Sequence, residues 1–174
     1  YKAMIRLKNG KLNEARELSK ALMKEYPDFH EVHYLNGLIF ISQENFGRSL
    51  NEFTRMIAYK PDHVKAYYNR ALAFGMQEQY KKAICDLDSC LQHAPSYILA
   101  MYSRAYWKEI MGDLIGSVKD YEATLKLDPK FYDAYFGLAN VYRRSGQWEK
   151  ACETIRTAIK EGSQIAEEVK DNLC

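Results

Sequence analysis

The chain has 174 residues, five times 34 with four left over, of which 47% are hydrophobic and 28% charged. That balance excludes disorder and is enough to bury a sizeable core. Lys and Arg number 25 against 23 Asp and Glu, spread along the chain; no stretch carries the positive field that nucleic-acid binding rests on, and no apolar run approaches the roughly 20 residues a membrane helix needs.

The four prolines are Pro27, Pro61, Pro95 and Pro129, each 34 residues after the last. They divide the chain into a partial unit at 1–29, full units at 30–63, 64–97, 98–131 and 132–165, and a tail from Ala166 to Cys174 that could start a further or capping helix. Small residues follow the same step: Ala3, Gly37, Ala71, Ala105 and Ala139 in one column, Ala15, Ser49, Ala83, Ser117 and Ala151 in another. Large residues fill the gaps. Leu12, Phe46, Tyr80, Leu114 and Trp148 form one column; Met23, Ile57, Leu91, Leu125 and Ile159 a second; Phe53, Leu87, Tyr121 and Ile155 a third.

Residues 64–97 show how each unit folds. Tyr67, Arg70, Ala71 and Phe74 fall at i, i+3, i+4 and i+7, the stripe of one amphipathic helix. Tyr80, Ala83, Ile84, Leu87, Cys90 and Leu91 repeat the spacing and predict a second. Gln77-Glu78-Gln79 makes a polar turn between them; the matching turns hold Gly10, Gly112 and Gly146, suited to a helix C-cap. Proline then stops the second helix, since it lacks the N–H and disfavours helix in the residue before it. Alanine and serine columns mark where two antiparallel helices cross closely. Ser163 stands where a fifth proline would fall.

Little here points to catalysis or to a metal. His30 and His33 lie i, i+3, but His33 shares a column with Tyr67, Met101 and Tyr135 and is expected to pack. Cys85 and Cys90 are five apart, about 140° around a helix, and cannot both face His93. Asp86 and Asp88 point to different sides of their helix. No glycine loop is built to cradle phosphate. The expectation is a non-enzyme with no cofactor and no metal.

Four cysteines make no disulfide framework in a chain this long. They read as mostly buried apolar residues in a reducing, cytoplasmic setting. The sequence opens on Tyr1 rather than Met, which reads as a chain processed or cut from a longer one.

A 34-residue helix–turn–helix unit with these small columns and this proline resembles the tetratricopeptide repeat (TPR) family, over nearly the whole chain. The resemblance implies one all-α array over 1–174, an α-solenoid in which antiparallel helix pairs wind into a right-handed superhelix. It further implies that first helices line a concave groove. Carried over slot by slot, the groove residues are Tyr34, Leu35 and Leu38; Tyr68, Asn69 and Leu72; Tyr102, Ser103 and Tyr106; Phe136, Gly137 and Asn140. Ile41, Met76, Glu109, Arg143 and Arg144 follow one turn on.

Two known modes of the family are broken here. The carboxylate clamp of some co-chaperones keeps only Asn69, because Tyr34, Leu38, Leu99 and Ser103 stand where its other residues would be. An asparagine ladder is absent too, the column reading Leu35, Asn69, Ser103, Gly137. What remains is an apolar, aromatic surface with Asn140, Arg143 and Arg144 at its C-terminal end. It suits a protein or peptide partner presenting aliphatic or aromatic side chains with an acidic residue near the arginines. The function implied is that of an interaction scaffold or adaptor. The alternatives are a targeting or regulatory segment of a larger enzyme or assembly, and an array that self-associates through its ends.

Overall fold

A computed structural model describes residues 2–173, with side chains to Glu168; Tyr1 and Cys174 lie outside the described residues. Eleven helices are found among them, and no strand. The backbone divides into two compact units, Tyr1–His93 and Ala94–Cys174.

The first unit holds α1 (Lys2–Lys8), α2 (Leu12–Glu25), α3 (Glu31–Ser42), α4 (Phe46–Tyr59), α5 (Val64–Met76) and α6 (Tyr80–His93). The second holds α7 (Ile98–Ile110), α8 (Leu114–Leu127), α9 (Tyr132–Arg144), α10 (Trp148–Lys160) and α11 (Gln164–Leu173). Each expected helix pair is present. Helices α2, α4, α6 and α8 stop two residues before Pro27, Pro61, Pro95 and Pro129, as the missing N–H requires. After α10 the chain turns at Gly162 (φ 98°), and Ser163 does something proline could not. Its Oγ accepts the Ala166 N–H at 3.2 Å, a serine cap that starts α11 two residues ahead of Ala166.

Both small columns are buried throughout, Ala71, Ala83, Ala105 and Ser117 completely. Ser117 meets its polar need by donating to the Ala105 carbonyl at 2.8 Å, tying α8 to α7. The column Phe53, Leu87, Tyr121, Ile155 is the deepest, and none of the four is more than 1% exposed. Burying each such side chain is worth about 1.5–3 kcal/mol. An aromatic here needs a glycine opposite: a Cβ on Gly37 would lie 2.4 Å from the Phe53 ring, and one on Gly137 2.4 Å from Tyr121 Cζ.

Three expectations need correction. Trp148 is 58% exposed where its column mates are half-buried. Leu114, one repeat earlier, packs on the core cluster of Tyr121, Leu138 and Val141. Met23, assigned to a filled column, is 41% exposed. Of the cysteines among the described residues only Cys90 is buried; Cys152 is half-buried and Cys85 is exposed. Cys85 stands two residues before Leu87 on α6, off the face that carries Ala83, Leu87 and Leu91 inward.

Candidate functional site

The first unit presents its expected residues from α3 and α5. Tyr34 is half-buried, with its ring 4.8 Å from His63 and 5.9 Å from Phe53. Asn69 Nδ2 donates to the Tyr34 hydroxyl at 3.3 Å and to the Lys65 carbonyl at 2.7 Å. Burial raises the Tyr34 pKa, the Asn69 bond opposing it. Leu38 packs with Tyr34 against Phe53 and Met56; Tyr68 and Leu72 are half-buried on α5. These aromatics and Asn69 are thus committed in part to holding α3 against α4 and α5.

The second unit is chemically richer. Tyr102 is half-buried against Tyr121 and Phe131, with ring centroids 5.8 and 4.9 Å away, and burial raises its pKa. Tyr106 is 43% exposed and lies against Trp107 at 4.7 Å. Phe136, Ala139, Asn140 and Arg143 of α9 meet Ala151 and Ile155 of α10 around a cavity of about 160 Å³. Three of the expected site residues, Phe136, Asn140 and Arg143, therefore share one apolar hole with a cation on its rim.

Arg144, the neighbour of Arg143, is placed otherwise. Its Nη1 donates to the Glu109 carbonyl and to Glu109 Oε1, both at 3.2 Å. Glu109 is a buried carboxylate, its side chain 8% exposed. It also accepts the Tyr121 hydroxyl at 3.1 Å and the Asn140 amide. Burial first, then the Glu109 charge, pushes the Tyr121 phenol far above its ordinary value. Asn140 Oδ1 in turn accepts from Arg143 Nη2 at 2.9 Å.

Buried ion pairs are the part that sequence reasoning missed. Arg70 forks onto Asp86 at 2.8 and 2.7 Å, and Arg104 onto Asp120 at 2.8 and 2.6 Å with Lys108 adding a third bond at 2.8 Å. The signal was present: Arg70 and Arg104, like Asp86 and Asp120, are 34 apart. Glu109 could have been found through Tyr121, since a hydroxyl in an otherwise apolar column needs an acceptor.

His33 is bonded to Glu52, Nδ1 to Oε2 at 2.7 Å, as a packed residue would be. Burial pushes the Cys90 thiol up to about 11, away from nucleophilic use. Among the described residues no three His, Cys, Asp or Glu side chains gather as for a metal ion, and no helix is long and apolar enough to cross a membrane.

The comparisons with known proteins concern this same architecture. Family models of the tetratricopeptide repeat match residues 34–89 and 120–153. No curated protein matches the sequence. Among solved structures, MamA of Desulfovibrio magneticus RS-1 superposes with a TM-score of 0.85 at 21% identity, over 93% of this chain and 92% of that one. YrrB, described as a TPR protein with an unusual peptide-binding site, gives 0.80 at 18%, over 97% and 88%. PilF of Pseudomonas aeruginosa gives 0.82 at 14%, over 93% and 74%. At such identities the likeness is one of fold. Set beside the 34-residue step, the helix pairs it generates and the two matched segments, it leaves one assignment: this chain belongs to the tetratricopeptide repeat family.

Proposed function

We propose that the chain is a non-catalytic interaction module that binds a segment of a partner protein on the face of its first helices, the concave groove that the family resemblance implies. The observation that carries this reading is the cavity between α9 and α10, apolar within and rimmed by Asn140 and Arg143. Tyr106, an exposed aromatic on α7, extends the same chemistry. Tyrosine couples large area and a polar tip to little rotamer entropy, which suits contact with peptides. The partner segment offers an aliphatic or aromatic side chain for the cavity and an acidic residue for the arginine. A short segment of this kind binds at micromolar affinity, about −8 kcal/mol.

Tyr34, Tyr102 and Phe136 pack against the cores, so truncating them would confound binding with stability. Tyr106 and Arg143 are exposed and carry the test better. The chain is used to capture proteins from the source lysate, beside a Tyr106→Ala, Arg143→Ala variant and a control with Ile115→Ala and Trp148→Ala, two exposed residues on second helices. The captured protein's binding segment is then mapped and titrated. A segment lost by the first variant and kept by the second supports the first-helix face; the reverse result moves the site to the second helices.

A further inference from the structure

Two adjacent arginines end α9, and the fold treats them differently. The helix dipole favours a cation at either position, so it does not explain the difference. Glu109 does. Its carboxylate is nearly sealed from water, where a charge must be paired and fully hydrogen-bonded. Tyr121, Asn140 and Arg144 supply the donors, and Arg144 is held a second time through the Glu109 carbonyl.

Asn140 transmits this arrangement to Arg143. Its amide must turn the NH₂ toward Glu109, because two acceptors cannot face each other. The Asn140 oxygen is then left facing Arg143 Nη2. Arg143 so stands beside the cavity, anchored by one of its five donors and with no carboxylate in ion-pair reach among the described residues. Its free fork matches a carboxylate.

We propose that Glu109 sets the charge specificity of the site: by holding Arg144 it leaves Arg143 as the single carboxylate receptor, and the cavity takes a protein segment with one acidic residue beside one bulky aliphatic side chain. The proposal rests on the peptide-binding reading above and narrows it. Glu109 is here a positioning residue that acts through Asn140 and Arg144.

The test uses three blocked decapeptides with one central Leu, flanked by Asn, by a single Asp, or by Asp on both sides. Their dissociation constants are measured at low salt on the native chain and on Arg143→Ala, Arg144→Ala and Glu109→Gln, each below its own melting temperature. The native chain is expected to prefer the single-Asp peptide to the Asn peptide by about ten-fold, as a charge-assisted pair allows. The preference disappears in Arg143→Ala and survives in Arg144→Ala. Glu109→Gln keeps the shape, removes the anion and leaves the Arg144 charge uncompensated, so it binds the two-Asp peptide several-fold tighter than the native chain does. A merely structural Glu109 would instead weaken all three peptides alike.

Loss of the preference in both arginine variants, or no gain in Glu109→Gln, overturns the proposal while the peptide-binding reading stands. So does equal binding of all three peptides by the native chain. Absence of any binding to the native chain overturns both. Should Glu109→Gln fail to fold, the two arginine variants, both at exposed side chains, still decide the matter.

Discussion

The two units build the same helix pairs around different interiors. In the first, the deep column holds Phe53 and Leu87, purely apolar; in the second it holds Tyr121, whose hydroxyl must be answered. Glu109 answers it, at a position filled in the first unit by Ile41 and Gly75. One buried oxygen thus calls in one buried carboxylate, which calls in Asn140 and Arg144. Charge at the surface of the second unit is in this way a consequence of a single atom in its core. What the units share is just as telling. Arg70–Asp86 and Arg104–Asp120 occupy identical slots, one fork–fork pair in each.

Breaking those pairs is the largest perturbation available. Asp86→Ala and Asp120→Ala each take the buried carboxylate from a mostly buried arginine and are expected to cost about 3–5 kcal/mol. Asp120→Ala should cost more, because Lys108 loses the same carboxylate. Urea unfolding of the two variants measures this, and equal losses would mean that Lys108 contributes nothing. Overpacking comes next. Gly37→Ala drives a methyl into the Phe53 ring and Ala83→Leu fills a crossing with no space, each costing roughly 1–3 kcal/mol. Adding Phe53→Leu to Gly37→Ala recreates the Ala71 and Leu87 pairing of the next repeat. It should recover most of the loss, and a double variant no more stable than the single one would refute the glycine–aromatic pairing.

The repeat, the helix pairs, the prolines that stop them and the two small buried columns were legible in the sequence, because each is a packing demand that recurs every 34 residues. Of the candidate site, spacing placed three residues together on one stretch of α9. Phe136, Asn140 and Arg143 do come together around one cavity, but the fate of Arg144 could not be read from spacing. It depends on Glu109, a non-repeating residue 35 positions away whose burial follows from Tyr121. Cys85 and Trp148 escaped for the opposite reason: membership of a class or a column does not supply the neighbour that would cover them.

The turns between helices divide the units again. Positions 10, 44, 78, 112 and 146 are all left-handed, with φ of 72°, 55°, 60°, 84° and 73°. The second unit uses Gly112 and Gly146, whereas the first uses Glu44 and Glu78 after Gly10. A side chain in this region costs about 1–2 kcal/mol, of which glycine's greater freedom when unfolded returns part. Glu78→Gly should therefore stabilise the chain by about 0.5–1 kcal/mol, and Gly112→Glu destabilise it by a similar amount. No atom lies within 4 Å of where a Gly112 Cβ would stand, so the effect would be backbone strain alone. A melting temperature lowered by Glu78→Gly would show that the glutamate makes a contact worth more than the strain.

A smaller effect concerns acid, and it belongs to the first unit. His63 caps α5 through Nδ1, which accepts the Ala66 N–H at 3.0 Å and can do so only while unprotonated. Burial, ahead of the nearby charges, lowers the His63 pKa below its ordinary 6.5. A depressed histidine is neutral in the folded chain while the unfolded chain still takes up a proton. Stability from this cap is therefore whole above pH 6.5 and lost as the pH falls through the lower folded value. His63→Asn keeps a capping acceptor without the titration. Its unfolding free energy should decline less between pH 7 and 5 than that of the native chain. Parallel declines would assign the acid sensitivity to other groups.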